Sequence, residues 1–477
     1  MIRSLFLLTL TLLALVSCNK RAENHPPDNT VVRLDSTNLP IVWIEVDGKE
    51  ILRDKRIAAH IKVIHNGDRR LNYADTLRHP GQFIDYEGDI ALRYRGNSTY
   101  NDSPKKAYSL RTLEQPLHKC YNKKKVKILG MGKDNNWALL APYSDKSMMR
   151  DLLAFEISRP WMEYAPEGRF CEVFLDGTYY GVYILCEVVS KGKHRLHLDD
   201  PGARGDELTG GYLLEVDCND EVTYTSRFHP VTADGTPLRD RHILIQYKHP
   251  DYEELKTIQL NYINRCIDRM EQALATGNYG NFSQFIDVTS FIDYQIAMEM
   301  GHNVDGYRLS GKFYKRRDST DPRFKMAVWD MNQAYGNTNR LEGWRTDTWI
   351  YQSNDLMYRE GETYLIPFWW QRLNSDPQYT AQLKERWAQY RSTNLDEQRL
   401  MATVDSLATV LTACGAIDRN SQAWPRWGVW VWPNKYVAES FDDEVAYLKQ
   451  WLHDRLAWMD EQLDFRPLQT EPASNRR

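Results

Sequence analysis

Residues 326–337 read MAVWDMNQAYGN, an apolar run through Trp329 into Asp330, with an amide, Asn332, two places on. Burying a bare carboxylate is prohibitively costly, so an acid at the end of a buried strand must be hydrogen-bonded, ion-paired or bound to a metal. A hard cation takes oxygen ligands of this kind. A second acid, Asp305, lies with Asn303 in HNVDGYR (302–308), just after a helix expected to stop near Gly301. A loop held by a rigid element is how a catalytic acid is usually presented; an Asn/Asp turn closing the helix is the alternative. A cation comes from KKAYSL (105–110), where strand alternation puts Lys106 on one face with Tyr108 and Leu110 and turns Lys105 away. A pair of solvated edge-strand lysines is the alternative there.

Two kinds of element must position these groups. From Leu39, the stretches IVWIEVDGKEIL, AAHIKVIHNG and DIALRYRGNST cluster β-branched residues between Gly, Asp and Asn turns, which predicts a β-rich region. FLDGTYYGVYILCEVV (174–189) predicts a hairpin about its Asp-Gly turn, with Glu187 ending the second strand. Between these, a helix beginning near Ser144 has Met149, Leu152, Leu153 and Ile157 as its apolar stripe, with Glu156 beside it. The loop from Ser190 to Gly211 is rich in turn residues and charges and marks a boundary between two lobes. After Tyr252 the apolar spacing turns helical. One helix is expected to be capped at Ser290, and another runs through Val445, Leu448, Trp451, Leu452, Leu456 and Met459. A short hairpin fits between Asp305 and Asp330. The expected architecture is α+β: a β-rich lobe over 39–200, a mainly helical lobe over 201–465 and a polar tail over 466–477.

The chain has 477 residues and a formal net charge of −4, which gives no electrostatic pull toward nucleic acid. It opens MIRSLFLLTLTLLALVSCNK, with Arg3 and an apolar run from Leu5 to Val16, the pattern of a secretion signal too short to span a membrane comfortably. Its LVSC ending resembles a bacterial lipobox, which implies removal of residues 1–17 and lipidation of Cys18, with 18–38 as a flexible tether. The other cysteines form no CxxC pair and show no zinc spacing with histidines. No GxSxG or HExxH arrangement points to a hydrolase.

Taken in order, RYRGNST with SPKKAYSL (93–110), DKSMMRDLLAFEISR (145–159), FLDGTYYGVYILCEVV, GGYLLEVD (210–217), HNVDGYR, AVWDMNQAYGN and WLHDRLAWMD (451–460) resemble the successive motifs of the CotH-type spore-coat kinase family. The resemblance runs from about residue 39 to about 463. It implies an atypical two-lobed protein-kinase-like fold that uses ATP and Mg2+ to transfer the γ-phosphate to Ser or Thr hydroxyls of a protein. Asp305 would be the catalytic acid, and Asp330 with Asn332 would hold magnesium. Lys106 would face the phosphates, with Arg150 and Glu187 on the nucleotide side. Glu187 reads equally as a hinge acid or a strand-end charge, and Arg150 fits the family pattern better than Glu156. Together with the lipobox, this implies a lipoprotein of the bacterial cell envelope, most naturally of the outer membrane, acting on an exported protein. The pattern also departs from its relatives. No GxGxxG loop occurs near RGNST, Ser310 stands where ordinary kinases have a metal-binding Asn, and WDMN replaces the family's frequent WDxD. The alternative is therefore a silent kinase-like scaffold that binds an envelope protein or glycan, with WPRWGVWVWP (424–433) as its aromatic surface.

Overall fold

The structure, a computed structural model, describes residues 31–119, 121–218 and 221–466. The signal segment, Cys18, the first part of the tether, Cys120 and the tail beyond 466 lie outside the described residues. The β-rich half begins with a ribbon of β1 (Ser36–Thr37) and β4 (Asn72–Tyr73). Seven further strands close into a barrel: β2 (Ile41–Glu45), β3 (Ile57–Ile64), β5 (Ile84–Arg95), β6 (Ala107–Thr112), β7 (Asn136–Leu140), β9 (Thr178–Glu187) and β8 (Gly168–Leu175), in that spatial order. Closure, completed by the parallel pairing of β8 with β2, leaves no free edge. Period-2 alternation sorts the side chains. Leu92, Tyr108, Leu110, Leu139 and Tyr183 pack in one apolar cluster, while Arg93 and Arg95 of β5 and Ala107, Ser109 and Arg111 of β6 line a cleft on the other face. The β8–β9 hairpin turns at Asp176 and Gly177, both at positive φ (44° and 78°), as the Asp-Gly signal requires.

A short helix, α1 (Ser98–Asp102), follows β5, and α2 (Arg150–Ser158) joins β7 to β8. The helix expected from Ser144 starts six residues later. Asp145 accepts from Ser147 N (3.1 Å) and Arg150 N (2.8 Å), which holds the intervening residues in a turn.

The second half is built on a five-stranded antiparallel sheet of β11 (Thr223–Thr225), β12 (Leu244–His249), β10 (Tyr212–Val216), β13 (Gly311–Lys315) and β14 (Phe324–Ala327). Around it pack α3 (Thr257–Thr276), α4 (Tyr279–Phe282), α5 (Val288–Gly301), α6 (Asn354–Arg359), α7 (Phe368–Asn374), α8 (Pro377–Arg391), α9 (Glu397–Thr412), α10 (Ala416–Ala423) and α11 (Phe441–Gln462). The chain is thus α+β, β-rich first and mainly helical after. The expected hairpin is β13–β14. The cap of α5 is Asp287, which accepts from Ser290 N at 3.0 Å, rather than Ser290. The Ser290 hydroxyl instead accepts from Met326 N (2.9 Å), fixing α5 to β14 and so to the segment that leads into Asp330. The halves are clamped through α10: Asn420 Oδ1 accepts from Val182 N of β9 at 3.0 Å, and Arg419 pairs with buried Glu172 of β8 at 2.8 Å. Among the described residues no single helix is long and apolar enough to cross a membrane.

Candidate active site

A cleft of about 760 Å3 opens between the outer face of β5 and β6 and the near end of the five-stranded sheet. Asp305, Asp330 and Asn332 all line it. The β13–β14 register, Lys312 opposite Ala327, sets the strand ends so that Ser310 meets Asp330, and the Ser310 hydroxyl donates to Asp330 Oδ2 at 3.2 Å. Both residues sit at left-handed φ, 57° for Ser310 and 58° for Asp330. Strained backbone of this kind concentrates at functional sites. Buried Asn303 ties the two loops together: its amide donates to Asp330 O at 2.9 Å, and its oxygen accepts from Asp305 N at 3.2 Å. Gln333 closes the loop from the other side, donating to Asp305 Oδ2 at 2.8 Å. The other Asp305 oxygen accepts from Arg308 at 2.9 Å, and Arg308 in turn pairs with Glu362 at 2.7 Å. An ionised carboxylate has about four acceptor positions, so two fixed donors orient Asp305 and leave it able to accept from a third.

The acids of this cleft crowd each other. Burial, and then the charge of Asp305, raise Asp330 above its ordinary value; the Ser310 hydrogen bond and Arg95 oppose the rise. Asp151, in the first turn of α2, accepts from Met331 N at 2.7 Å and is pushed up to about 7 by burial and by Asp330. Deeper in the sheet, burial would raise Glu215, but Lys312 and Lys248 outweigh it and hold the carboxyl below its usual range. Asp217 is pushed up to about 7 by burial and by Glu215, which outweigh the same two lysines there. Facing these acids is Arg95, its guanidinium 5.0 Å from the centre of the Trp329 ring, which stacks on Phe155 of α2. Burial lowers Arg95, and Asp330, Asp151 and Glu215 are among the charges opposing that shift.

Carboxylates that repel one another this strongly fit a divalent cation, whose binding would displace the protons that burial now favours. The donors are all oxygen, from Asp330, Asp151 and the Asn332 amide, which suits magnesium. Among the described residues no group of three acidic, His or Cys side chains is already gathered as a cage. Magnesium, which commonly completes its shell with water and phosphate oxygens, is compatible with that.

Lys106, Glu187, Glu156 and Arg150 lie elsewhere. Lys106 does share a face with Tyr108 and Leu110, but that face turns into the barrel, and its ammonium donates to Tyr100 O (2.5 Å) and Ser103 O (2.6 Å). Lys105 is also inside, donating to Asn420 Oδ1 at 2.9 Å and held well below its ordinary value by burial. Glu187 is ion-paired with Arg195 and accepts from Tyr164 (3.1 Å), and it is the following residues, 188–190, that line the cleft. Glu156 pairs with Arg159 at 2.8 Å.

Arg150 is wholly buried, bonded to Asp145 at 2.6 Å and Glu444 at 2.7 Å, and it joins α2 to α11. Arg150→Met leaves two buried carboxylates without their cation, so the variant is expected to lose about 3–5 kcal/mol of stability. A urea midpoint unchanged from wild type would contradict that structural role. The aromatic stretch at 424–433 is mixed: Trp424 is buried, Trp427 and Trp432 are half-buried, and Trp430 is 54% exposed. Among the described residues, no disulfide joins Cys171, Cys186, Cys266 and Cys414.

Arg95 and Asp151 are the cleft residues that sequence reasoning missed. Each had a signal: Arg95 ends a strand in alternation with Arg93, and Asp151 adjoins Arg150 on a helix whose apolar stripe was plain. With this geometry in place, comparison with known proteins is specific. A family model described as CotH kinase protein matches residues 92–459, most of the chain and all of the cleft's acidic loops. No curated protein matches the chain significantly.

Proposed function

The chain belongs to the CotH kinase family, and from that premise we propose an ATP- and magnesium-dependent phosphotransferase whose acceptor is a Ser or Thr hydroxyl of an exported protein. The observation that carries the reading is the convergence of Asp305 and Asp330 in one cleft, stitched together by Asn303 and Gln333 and faced by Arg95. Phosphoryl transfer asks little covalent chemistry of a protein and much positioning and charge. Asp330, with Asn332 and Asp151, would hold magnesium, whose bound charge offsets that of the phosphates. Arg95, stiffened on Trp329, supplies the cation first assigned to Lys106 and offers the planar fork that suits phosphate oxygens. Asp305 orients the attacking hydroxyl and receives its proton at hydrogen-bond range. The segment 188–190, at the end of β9, forms the wall against which a base would rest. In this reading the protein is anchored in the cell envelope through a lipid on Cys18, and the acceptor shares that compartment.

The direct test is thermal melting with and without Mg·ATP, followed by transfer of labelled phosphate. A ligand that binds only the folded state stabilises it by about 2.7 kcal/mol at a hundred times its Kd, so Mg·ATP is expected to raise the melting temperature and ATP with chelator much less. No shift at millimolar Mg·ATP would favour the silent scaffold.

A further inference from the structure

Beyond Arg95, the cleft continues outward into a groove of about 900 Å3 that shares Arg56, Arg93, Arg111 and Glu221 with it. One wall carries the three arginines. In the β5–β6 pairing Arg93 lies opposite Ser109, and Arg111 opposite Ala91. Arg56 donates to Ala91 O and Ser109 O, both at 3.1 Å, and to the Ser109 hydroxyl at 3.0 Å, so its head is pinned between the other two. Arg111 donates to the Tyr121 hydroxyl at 3.1 Å, while its Nε is buried with no partner among the described residues. Among the described residues the partners of Arg56 and Arg111 are thus carbonyls and hydroxyls, not carboxylates. The repulsion is felt within the set: Arg56 is pushed down to about 9 by burial and by Arg111 and Arg93. A guanidinium cluster held together at this cost in like-charge repulsion is relieved by an anion that accepts from several forks at once.

The opposite wall has the other sign: Glu221, Asp251 and Glu253, with Tyr247 and Tyr252 in ring contact at 5.8 Å. That wall repels a uniformly anionic surface, whether a nucleic-acid backbone or an acidic bilayer. An extended peptide satisfies both walls, because its successive side chains point to opposite sides. The groove is also distinct in place from the proposed phosphate end. Arg111 lies opposite Asn136 of β7, next to Trp137, whose partner is Glu187, so the cluster sits toward the end of β9.

We propose that this groove binds an acidic, extended stretch of the protein acceptor, whose Asp or Glu side chains pair with Arg93 and Arg111. That the bound protein is the phosphate acceptor rests on the phosphotransfer reading; the binding itself does not.

The test is therefore a binding measurement without nucleotide, on the full chain in detergent. The probes are a fluorescent Ser peptide with Glu at alternate positions and its Gln counterpart, with inorganic phosphate as the simple-anion control. A charge-assisted hydrogen bond contributes about 1.5–3 kcal/mol, so the Glu peptide is expected to bind at least about tenfold tighter and to weaken as salt rises. The double variant R93Q/R111Q, which leaves the strand-tying Arg56 in place, is expected to remove that preference. It should keep Gln-peptide affinity. Equal affinity for the two peptides overturns the proposal. So does inorganic phosphate binding as tightly as the Glu peptide, and so does loss of Mg·ATP stabilisation in the double variant, which would assign these arginines to the nucleotide. Failure of phosphate transfer leaves this measurement standing, and a negative peptide result leaves the transfer assay standing.

Discussion

Asp330→Asn is expected to reduce phosphate transfer from labelled ATP by about a hundred- to a thousandfold, the size seen when one well-placed electrostatic stabiliser is removed. Asparagine is the informative replacement: it keeps the shape, tolerates the left-handed backbone at φ 58° better than alanine, and removes only the charge. The same change is expected to leave the unliganded protein as stable as wild type or more so, because Asp330 is raised by burial and by Asp305. For an acid whose folded value lies above its unfolded one, the sign runs against stability at high pH. Below the unfolded value both states are neutral and nothing is lost; above the folded value the full cost of ionisation is present. The gain in D330N is therefore expected at neutral and alkaline pH and to vanish at acid pH. Activity and stability moving in opposite directions is what a site that sacrifices stability for function produces. Melting curves across pH, beside transfer assays, read both. Retained transfer with an unchanged magnesium requirement would remove Asp330 from the site.

Asp305 and Asp330 were legible in the sequence, whereas Asp151 and the cations were not, and the reason is geometric. An aspartate at the end of an apolar run, or on a loop after a helix stop, declares its need for a partner wherever the fold places it, and both Asp305 and Asp330 reached the cleft. For a strand residue, alternation says only which neighbours share its face. In KKAYSL the pattern grouped Lys106 correctly with Tyr108 and Leu110, but barrel closure turned that face inward and gave the cleft to Ala107, Ser109 and Arg111. No local signal distinguishes the inside of a barrel from a cleft wall when both accept a mixed strand. Arg150 and Glu187 failed for a related reason. Arg150 is held by Asp145, five positions back, together with Glu444, 294 positions away, and Glu187 by Arg195, eight positions away; no local pattern marks these pairings. The α+β order and the β13–β14 hairpin followed from period and turn chemistry, which are local. Helix starts followed less well, because Asp145 and Asp287 set them from ahead of the helical run, accepting from backbone N–H groups of its first turn.

Asp305→Asn is expected to separate from Asp330→Asn in kind rather than in size. A positioned general base contributes about a hundred- to ten-thousandfold, and here the loss should fall on kcat while the KM for ATP and the Mg·ATP melting shift persist. The persistence follows from the hydrogen bonds: Asp305 is held by Arg308 and Gln333, whereas Asp330 is held by Ser310 and, through its carbonyl, by Asn303. Removing the Asp305 charge leaves the Asp330 loop anchored, and it lowers the repulsion that raises Asp330, so magnesium binding is expected to be kept or strengthened. Arg308 and Arg340 both retain their pairs with Glu362, each at 2.7 Å, so the loop should not collapse. The contrary structural role, in which Asp305 merely neutralises Arg308, makes a different prediction: D305N would melt lower and lose ATP affinity in step with activity. Steady-state kinetics with the melting series distinguish the two, and a fall in kcat no greater than the fall in stability explains would leave the attacking hydroxyl without its base.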